Sequence, residues 1–423
     1  MGVMLAAVAG SGLAAHAQSD PSVDKLTKEN QQLRQRLDAL EDAMKKEGVV
    51  ASGEPTSAPI TAMSTTTLSG FVTASYFYDV SSSKDSHPTG YLWNTGMNQF
   101  TLNKIKITLA SAPPDKDKWD ASYKVSLMYG EDQNITDPHS GINGYAPIRE
   151  AFVDFNVPIG TGLDIKAGEL ISLLNYESGD GGAVNANFSQ GYQWYYTGNP
   201  PGGAVQLGYD FNDMIGLKAR VQNGLYAGEI GTSSKTFIGG LYINPDKKTS
   251  LAFLGFAGHQ DATASDLSGG SFIGSRQLME SHNLTFATEF DWFHFTDFSP
   301  ENLGSAAGHS AGDFASLGGW LTADLTPKLT AALRGEVLRD PTGYGTVWNS
   351  PSPEAGYGSV FPNIYTSGAG QTLTSATFTL DIKPAPALKL QPEIRWNHTS
   401  AEFDAVSGKK DQLIVGMGAS YLF

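Results

Sequence analysis

The 423-residue chain contains no cysteine, which excludes disulfide scaffolds, thiolate metal sites and cysteine nucleophiles together. It also lacks any apolar run of about 18 residues, the length a helix needs to cross a bilayer. Basic residues are scarce, with 28 Lys and Arg against 43 Asp and Glu, a formal net charge of -15 and a sequence pI near 4.9. A surface of that sign repels a phosphate backbone, so nucleic acid is excluded as a partner. What the chain has instead is glycine, 48 residues, and an aromatic fraction of 11% on a mean hydropathy of -0.22. That combination leaves one membrane architecture open, a β-barrel, whose hydrophobicity lies in alternation that averages miss. The length suits two or three soluble domains, but an all-β barrel can run that long as one.

Residues 3–15 are short, apolar and small, and Ala15-His16-Ala17 follows as an A-x-A site. Residues 1–17 therefore read as a secretory signal peptide, with a short buried helix as the alternative. Only Met1 and Gly2 precede the apolar run, so the natural start is expected upstream. Residues 20–47 keep heptad spacing, with Val23, Asn30, Leu37 and Met44 on one series and Leu26, Leu33 and Leu40 on the other. These are the a and d positions of a short periplasmic coiled-coil helix, with Asn30 as the polar core residue that sets register. A solvated single helix or spacer is the competing reading, since helices of this length are weakly stable alone. Residues 48–67 are rich in Ser, Thr, Pro and Ala and read as a linker.

From Leu68 to Phe423 the period changes to 2. In the last segment Leu413, Val415, Met417, Ala419, Tyr421 and Phe423 share one face and Gln412, Gly416, Gly418 and Ser420 the other, with Ile414 and Leu422 as apolar exceptions. One face suits lipid and the other water. Around Lys124, Trp119 and Tyr129 bracket a strand whose outer face is Ala121, Tyr123, Val125 and Leu127. Ten residues span about 34 Å, or about 24 Å at a 45° tilt, which matches the band between aromatic girdles. A soluble sandwich also alternates, but long strands recurring with alternately short and long breaks favour a transmembrane antiparallel barrel. Fifteen strands can be counted directly; the phase of short and long breaks slips between Ala257 and Asn283, which places a further strand in SFIGSRQLM, turning at Glu280 and Ser281. The expectation is about 16 strands, with about 14 or 18 as neighbours, wide enough for an aqueous channel.

Turning apolar side chains outward leaves a lumen wall of Lys124, Lys166, Lys218, Arg220, Arg334, Lys389 and Arg395 against Asp120, Asp164, Glu289, Asp291, Glu336 and Glu393. The signs nearly balance, so the acidic excess is assigned to loops and turns. Such charges either pair across strands or, as a set around a narrow pore, select solutes. One connection, 168–203, is long and aromatic, and long loops of that kind are usually functional. Folded inward, it sets Glu169, Glu177 and Asp180 against the basic wall as a constriction; folded outward, it is a lid, with Trp194 and Tyr195 starting the next strand. A third option is that its aromatics stack on sugar rings in a carbohydrate-selective pore. No enzyme motif is present at useful strength, and the eight histidines are scattered. No metal site or cofactor is expected. Asp115, Asp117 and Asp120 lack the Gly and terminal Glu of a calcium loop and read as a turn.

Three stretches carry a family resemblance: LNYESGDGGAVNANFSQGYQWYYTGNPPGGAVQLGYDF, AALRGEVLRDPTGYG and the ending GASYLF. Through them, residues 68–423 resemble the putative β-barrel porin family of bacterial outer membranes. Tyr421 and the terminal Phe423 look like the signal that outer-membrane barrels present to their assembly machinery. The resemblance implies a trimeric or monomeric water-filled pore for passive diffusion of small hydrophilic solutes or ions, embedded in outer-membrane lipid. An N-terminal coil before a barrel is similar to porins whose periplasmic coil trimerises, which favours a homotrimer. The rival reading is a structural anchor that tethers the envelope through the coil, with peptidoglycan as its partner.

Overall fold

Alternation turns each segment into a strand with one apolar and one polar face, and a closed ring of such strands leaves no unpaired edge in the bilayer. The computed structural model describes residues 66–81, 96–132, 147–198, 201–225, 233–260, 265–298, 310–341, 370–400 and 409–423. The signal segment, the coil and the linker up to residue 65 lie outside these residues. The strands are β1 (Thr66–Asp79), β2 (Phe100–Ser111), β3 (Asp120–Tyr129), β4 (Ile148–Val157), β5 (Leu163–Leu170), β6 (Gly202–Asp210), β7 (Ile215–Gln222) and β8 (Thr236–Asp246). They continue as β9 (Thr249–Gln260), β10 (Ser265–Met279), β11 (Leu284–Phe298), β12 (Ser310–Thr326), β13 (Leu329–Asp340), β14 (Gln371–Ala385), β15 (Leu388–Thr399) and β16 (Asp411–Leu422). β1 starts two residues inside the segment read as linker.

Each strand pairs antiparallel with its sequence neighbours, and β1 pairs with β16 to close a barrel of 16 strands. The closing seam runs from Phe71 opposite Leu422 to Asp79 opposite Ile414. Phe423 extends it: its amide donates to the Gly70 carbonyl at 3.0 Å, and the Gly70 amide donates to the Phe423 carbonyl at 2.8 Å. A Cβ on Gly70 would lie 2.7 Å from the Phe423 ring, so glycine is what lets the terminal aromatic lie across the seam.

The strand inserted on phase grounds is β10, which starts earlier than SFIGSRQLM and turns through 280–283 into β11. The phase slipped because β9 and β10 are joined by residues 261–264 alone, a connection as short as the turns of the opposite rim. On the outer face Met417 and Tyr421 are exposed, while Gln412, Gly418 and Ser420 are buried on the inner one. Trp119, at the start of β3, and Tyr129, at its end, are both exposed. In the turn before β3 the aspartates are occupied locally: the Asp117 amide donates to Asp115 at 3.0 Å, the Asp115 amide to Asp120 at 2.8 Å, and Lys118 stands 3.3 Å from Asp115.

A candidate constriction inside the barrel

Register places every wall residue expected from the sequence on the inner face. Alternation along β13 buries Arg334 and Glu336 between exposed Leu333 and Val337; on β15 it buries Lys389, Glu393 and Arg395. Further inner-face charges were legible in the same pattern. In β2 the run Lys104-Ile105-Lys106-Ile107 alternates as cleanly as any, and both lysines are buried inward. Arg149, Glu150 and Asp154 of β4 are also buried.

The connection between β5 and β6, described over 171–198 and from residue 201, enters the lumen and is bound to the opposite wall. It contains one 3-10 turn, Gly181–Ala183, and one short helix, α1 (Tyr192–Thr197). Buried backbone N–H groups need acceptors, and here the carboxylates of β11, β13 and β15 supply them. Glu289 accepts the Tyr176 amide at 2.6 Å. Glu393 accepts the amides of Phe188 at 2.8 Å and Ser189 at 3.3 Å, and the Ser189 hydroxyl. Glu336 accepts the amides of Tyr192 at 3.3 Å and Gln193 at 3.0 Å. It thereby takes the place of an N-cap side chain, because the N-cap of α1 is Gly191. A Cβ on Gly191 would fall 1.8 Å from that carboxylate.

Ion pairs complete the seat. Arg334 Nη1 donates to Glu177 at 2.7 Å, and its Nε lies 3.2 Å from Glu336. Glu177 also accepts the Gly191 amide at 2.7 Å and Trp320 Nε1 at 3.2 Å. Asp180 meets Lys106 at 2.6 Å and Arg149 at 4.0 Å. Burial works to raise the Asp180 carboxyl, but the charges of Lys106 and Arg149 outweigh it and hold it below the ordinary aspartate value. Lys389 donates to the carbonyls of Gly182 at 2.7 Å and Asn185 at 3.1 Å, and Arg395 to that of Gln190 at 2.7 Å. Asp291 accepts Gln193 Nε2 at 2.7 Å and the Thr197 hydroxyl at 2.8 Å.

Apolar residues on the inner face, which break the alternation, sit where this segment packs. Ile414 and Phe77 receive Phe188, whose ring lies 5.6 Å from that of Phe77. Leu338 and Leu373 receive Tyr192 and Tyr196, with Trp194 and Tyr195 against them. Leu174 joins Phe256, Phe293 and Phe314 in an apolar cluster on the inner faces of β8–β12.

The segment therefore lies inside the barrel, and Trp194 and Tyr195 belong to α1, so they do not begin the next strand or join its girdle. Glu177 meets Arg334 of the wall expected from the sequence, and Asp180 meets Lys106 and Arg149, two basic residues outside that set. Glu169 does not belong to the inward segment: it is a residue of β5, opposite Ala151 and Gly203. Wall residues Lys124, Lys166, Lys218 and Arg220 lie on β3, β5 and β7, and of these four Arg220 touches the segment. Lys124 pairs with Glu150 at 2.6 Å and Lys166 with Asp154 at 3.4 Å. Arg220 donates to Gln206 at 2.8 Å and to the Ile171 carbonyl at 2.8 Å.

A family model described as putative beta-barrel porin-2, OmpL-like matches residues 65–423. No curated protein matches the chain. Among solved structures, the outer membrane channel DcaP of Acinetobacter baumannii superposes with a TM-score of 0.54 at 12% identity, covering 85% of this chain and 97% of that one. OprB of Pseudomonas putida gives 0.54 at 11% identity over 86% and 96%. The trimer form of OmpT of Vibrio cholerae gives 0.53 at 10% identity over 85% and 99%. At these identities the likeness is one of fold.

Proposed function

This chain belongs to the putative beta-barrel porin-2, OmpL-like family, and from that premise we propose that it is an outer-membrane channel for passive diffusion of small hydrophilic solutes, narrowed by residues 171–198. The observation that carries this reading is the crossing of that segment through the lumen to β11–β16, which narrows the passage while Lys124 of β3 and Lys166 of β5 keep partly exposed side chains. A sixteen-stranded barrel is wide enough to keep an aqueous passage beside such a segment. Residues 1–17 serve as the export signal, 20–47 as a periplasmic trimerising coil and 48–67 as the linker to the barrel. A trimer form among barrels of this shape supports that oligomeric state. Tyr421 and Phe423 present the assembly signal, and outer-membrane lipid meets the apolar face.

Single-channel recording in planar bilayers tests the reading. Stepwise currents whose size scales with salt are expected. A folded, inserted barrel that never conducts would defeat the channel and favour the envelope tether.

A further inference from the structure

Charge on the inner faces of β3–β7 is asymmetric in its exposure. In two ion pairs of that wall the lysine is the accessible member. Lys124 is 35% exposed against 3% for Glu150, and Lys166 29% against 9% for Asp154. Asp164, 34% exposed and 3.9 Å from Lys166, is the accessible acid of this row. At the turn rim Asp210 is engaged by Lys116 at 2.9 Å. Lys218, across Gly208 from Asp164, forms no ion pair among the described residues.

The three lysines also stand in regular order. Lys124 is opposite Phe152, and Phe152 opposite Gly168, two residues beyond Lys166. Lys166 is opposite Gln206, and Gln206 opposite Arg220, two residues beyond Lys218. They form a staircase on alternate strands, each step two strands across and two residues along, or about 12 Å between backbone positions. Two of the steps carry an aromatic face as well as a charge. Lys166 Nζ lies 5.4 Å from the centre of the Phe152 ring, and Lys218 Nζ 4.4 Å from that of Tyr242. Tyr242 and Ile273 are the half-buried margin of the apolar cluster on β8–β12. Gly208, paired with Lys218 on one side, gives its space to the Asp164 carboxylate, 3.3 Å from where a Cβ would stand, and Gly240 is paired with Lys218 on the other side. A Cβ on Gly240 would approach the Tyr242 ring to 3.0 Å.

We infer that this sector is a track for small organic anions with an apolar body, aromatic carboxylates above all. The carboxylate passes along the ammonium groups of Lys124, Lys166 and Lys218 while the body slides over Phe152 and Tyr242. An ammonium offers a charge-assisted donor at each step, an aromatic face takes an apolar ring, and several weak sites in series permit passage rather than capture. The inference rests on the channel reading of the preceding subsection.

Reversal potentials of the full-length protein in planar bilayers test it, with potassium chloride, potassium acetate and potassium benzoate as the probe salts. Anion selectivity in a potassium chloride gradient is expected, with benzoate more permeant than acetate despite its size. Lys124→Gln/Lys166→Gln/Lys218→Gln should move the reversal potential toward or past zero with conductance retained, and Lys166→Gln alone should move it part of the way. Tyr242→Leu should lower the benzoate-to-acetate permeability ratio. Cation selectivity of the conducting wild type, benzoate passing no better than acetate, or an unmoved reversal potential in the conducting lysine variants would each overturn the track while leaving the channel standing. A wild-type barrel that never conducts would overturn the channel reading itself, and the track with it.

Discussion

Glu177, on the segment that crosses the lumen, and Arg334, on β13 of the opposite wall, are held 2.7 Å apart with side-chain exposures of 3% and 0%. Removing one partner of such a pair leaves a buried charge uncompensated, at a cost of about 3–5 kcal/mol. Arg334→Gln also leaves Glu177 and Glu336 facing each other without the cation between them. The variant is expected to release the segment from the wall, giving larger, noisier single-channel currents and a new protease-sensitive site between 171 and 198. Glu177→Gln keeps an acceptor for the Gly191 amide and is expected to cost about 1–3 kcal/mol, with a smaller change in current. Wild-type conductance in Arg334→Gln would show that the pair does not hold the constriction.

Phe188 is seated through Gly418 of β16, where a Cβ would fall 2.0 Å from the ring. Gly418→Val should expel Phe188 and raise conductance while the barrel stays folded, because the substitution lies on the inner face. Phe188→Ala removes the ring from its place between Phe77 and Ile414 and should destabilise the seat by about 3–5 kcal/mol. Matching increases in current noise in the two variants are the expected result; a quiet Gly418→Val pore would count against this seat.

Phe293 is fully buried on the inner face of β11, stacked 4.5 Å from Phe314 and tilted against Phe256 at 4.8 Å. Phe293→Ala should lower barrel stability by about 3–5 kcal/mol through the cavity it leaves. The shift of the heat-modifiable band to lower temperature on a semi-native gel measures it, and an unshifted band would show that the cluster adds no stability.

Asp180 has a carboxyl held below its ordinary value by Lys106 and Arg149 acting against burial. A carboxylate depressed in the folded state contributes stability that is present above its unfolded value, about 3.9, and is lost as pH falls through the lower folded value. The seat at Asp180 should therefore persist from neutral pH through mild acid. Conductance attributable to it should change only below the ordinary aspartate range. Asp180→Asn is expected to abolish that acid limb in a conductance titration and to weaken the seat at all pH values above it.

Residues 20–47 carry the heptad series of Val23 to Met44. Their deletion is expected to lower the temperature at which the oligomer dissociates in mild detergent, with conductance per barrel unchanged. An oligomer of undiminished stability would assign the coil to another task.

Much of the barrel was legible in single residues. Met417 and Tyr421 read outward and Gln412 and Ser420 inward because a strand sends successive side chains to opposite faces, whatever its partners. Lys104 and Lys106 were equally legible, alternating with Ile105 and Ile107. The β9–β10 connection was harder, since 261–264 mimics a turn of the opposite rim, and only the phase of the whole chain exposed it. Glu169 was misassigned because a glutamate at a strand end has the same local signature as one at a loop start.

Residue order alone thus decides which side chains face lipid and which face the lumen, because period 2 is a property of the extended backbone. It also marks, through Phe77, Ile414 and Leu338, inner-face positions too apolar for water. What covers those positions is decided in three dimensions. Closure brings β13 and β15 across from β5, so that Glu336 and Glu393 reach amides more than 140 residues away in sequence. Only that closure turns acidic residues that looked available to solutes into acceptors for the chain's own backbone.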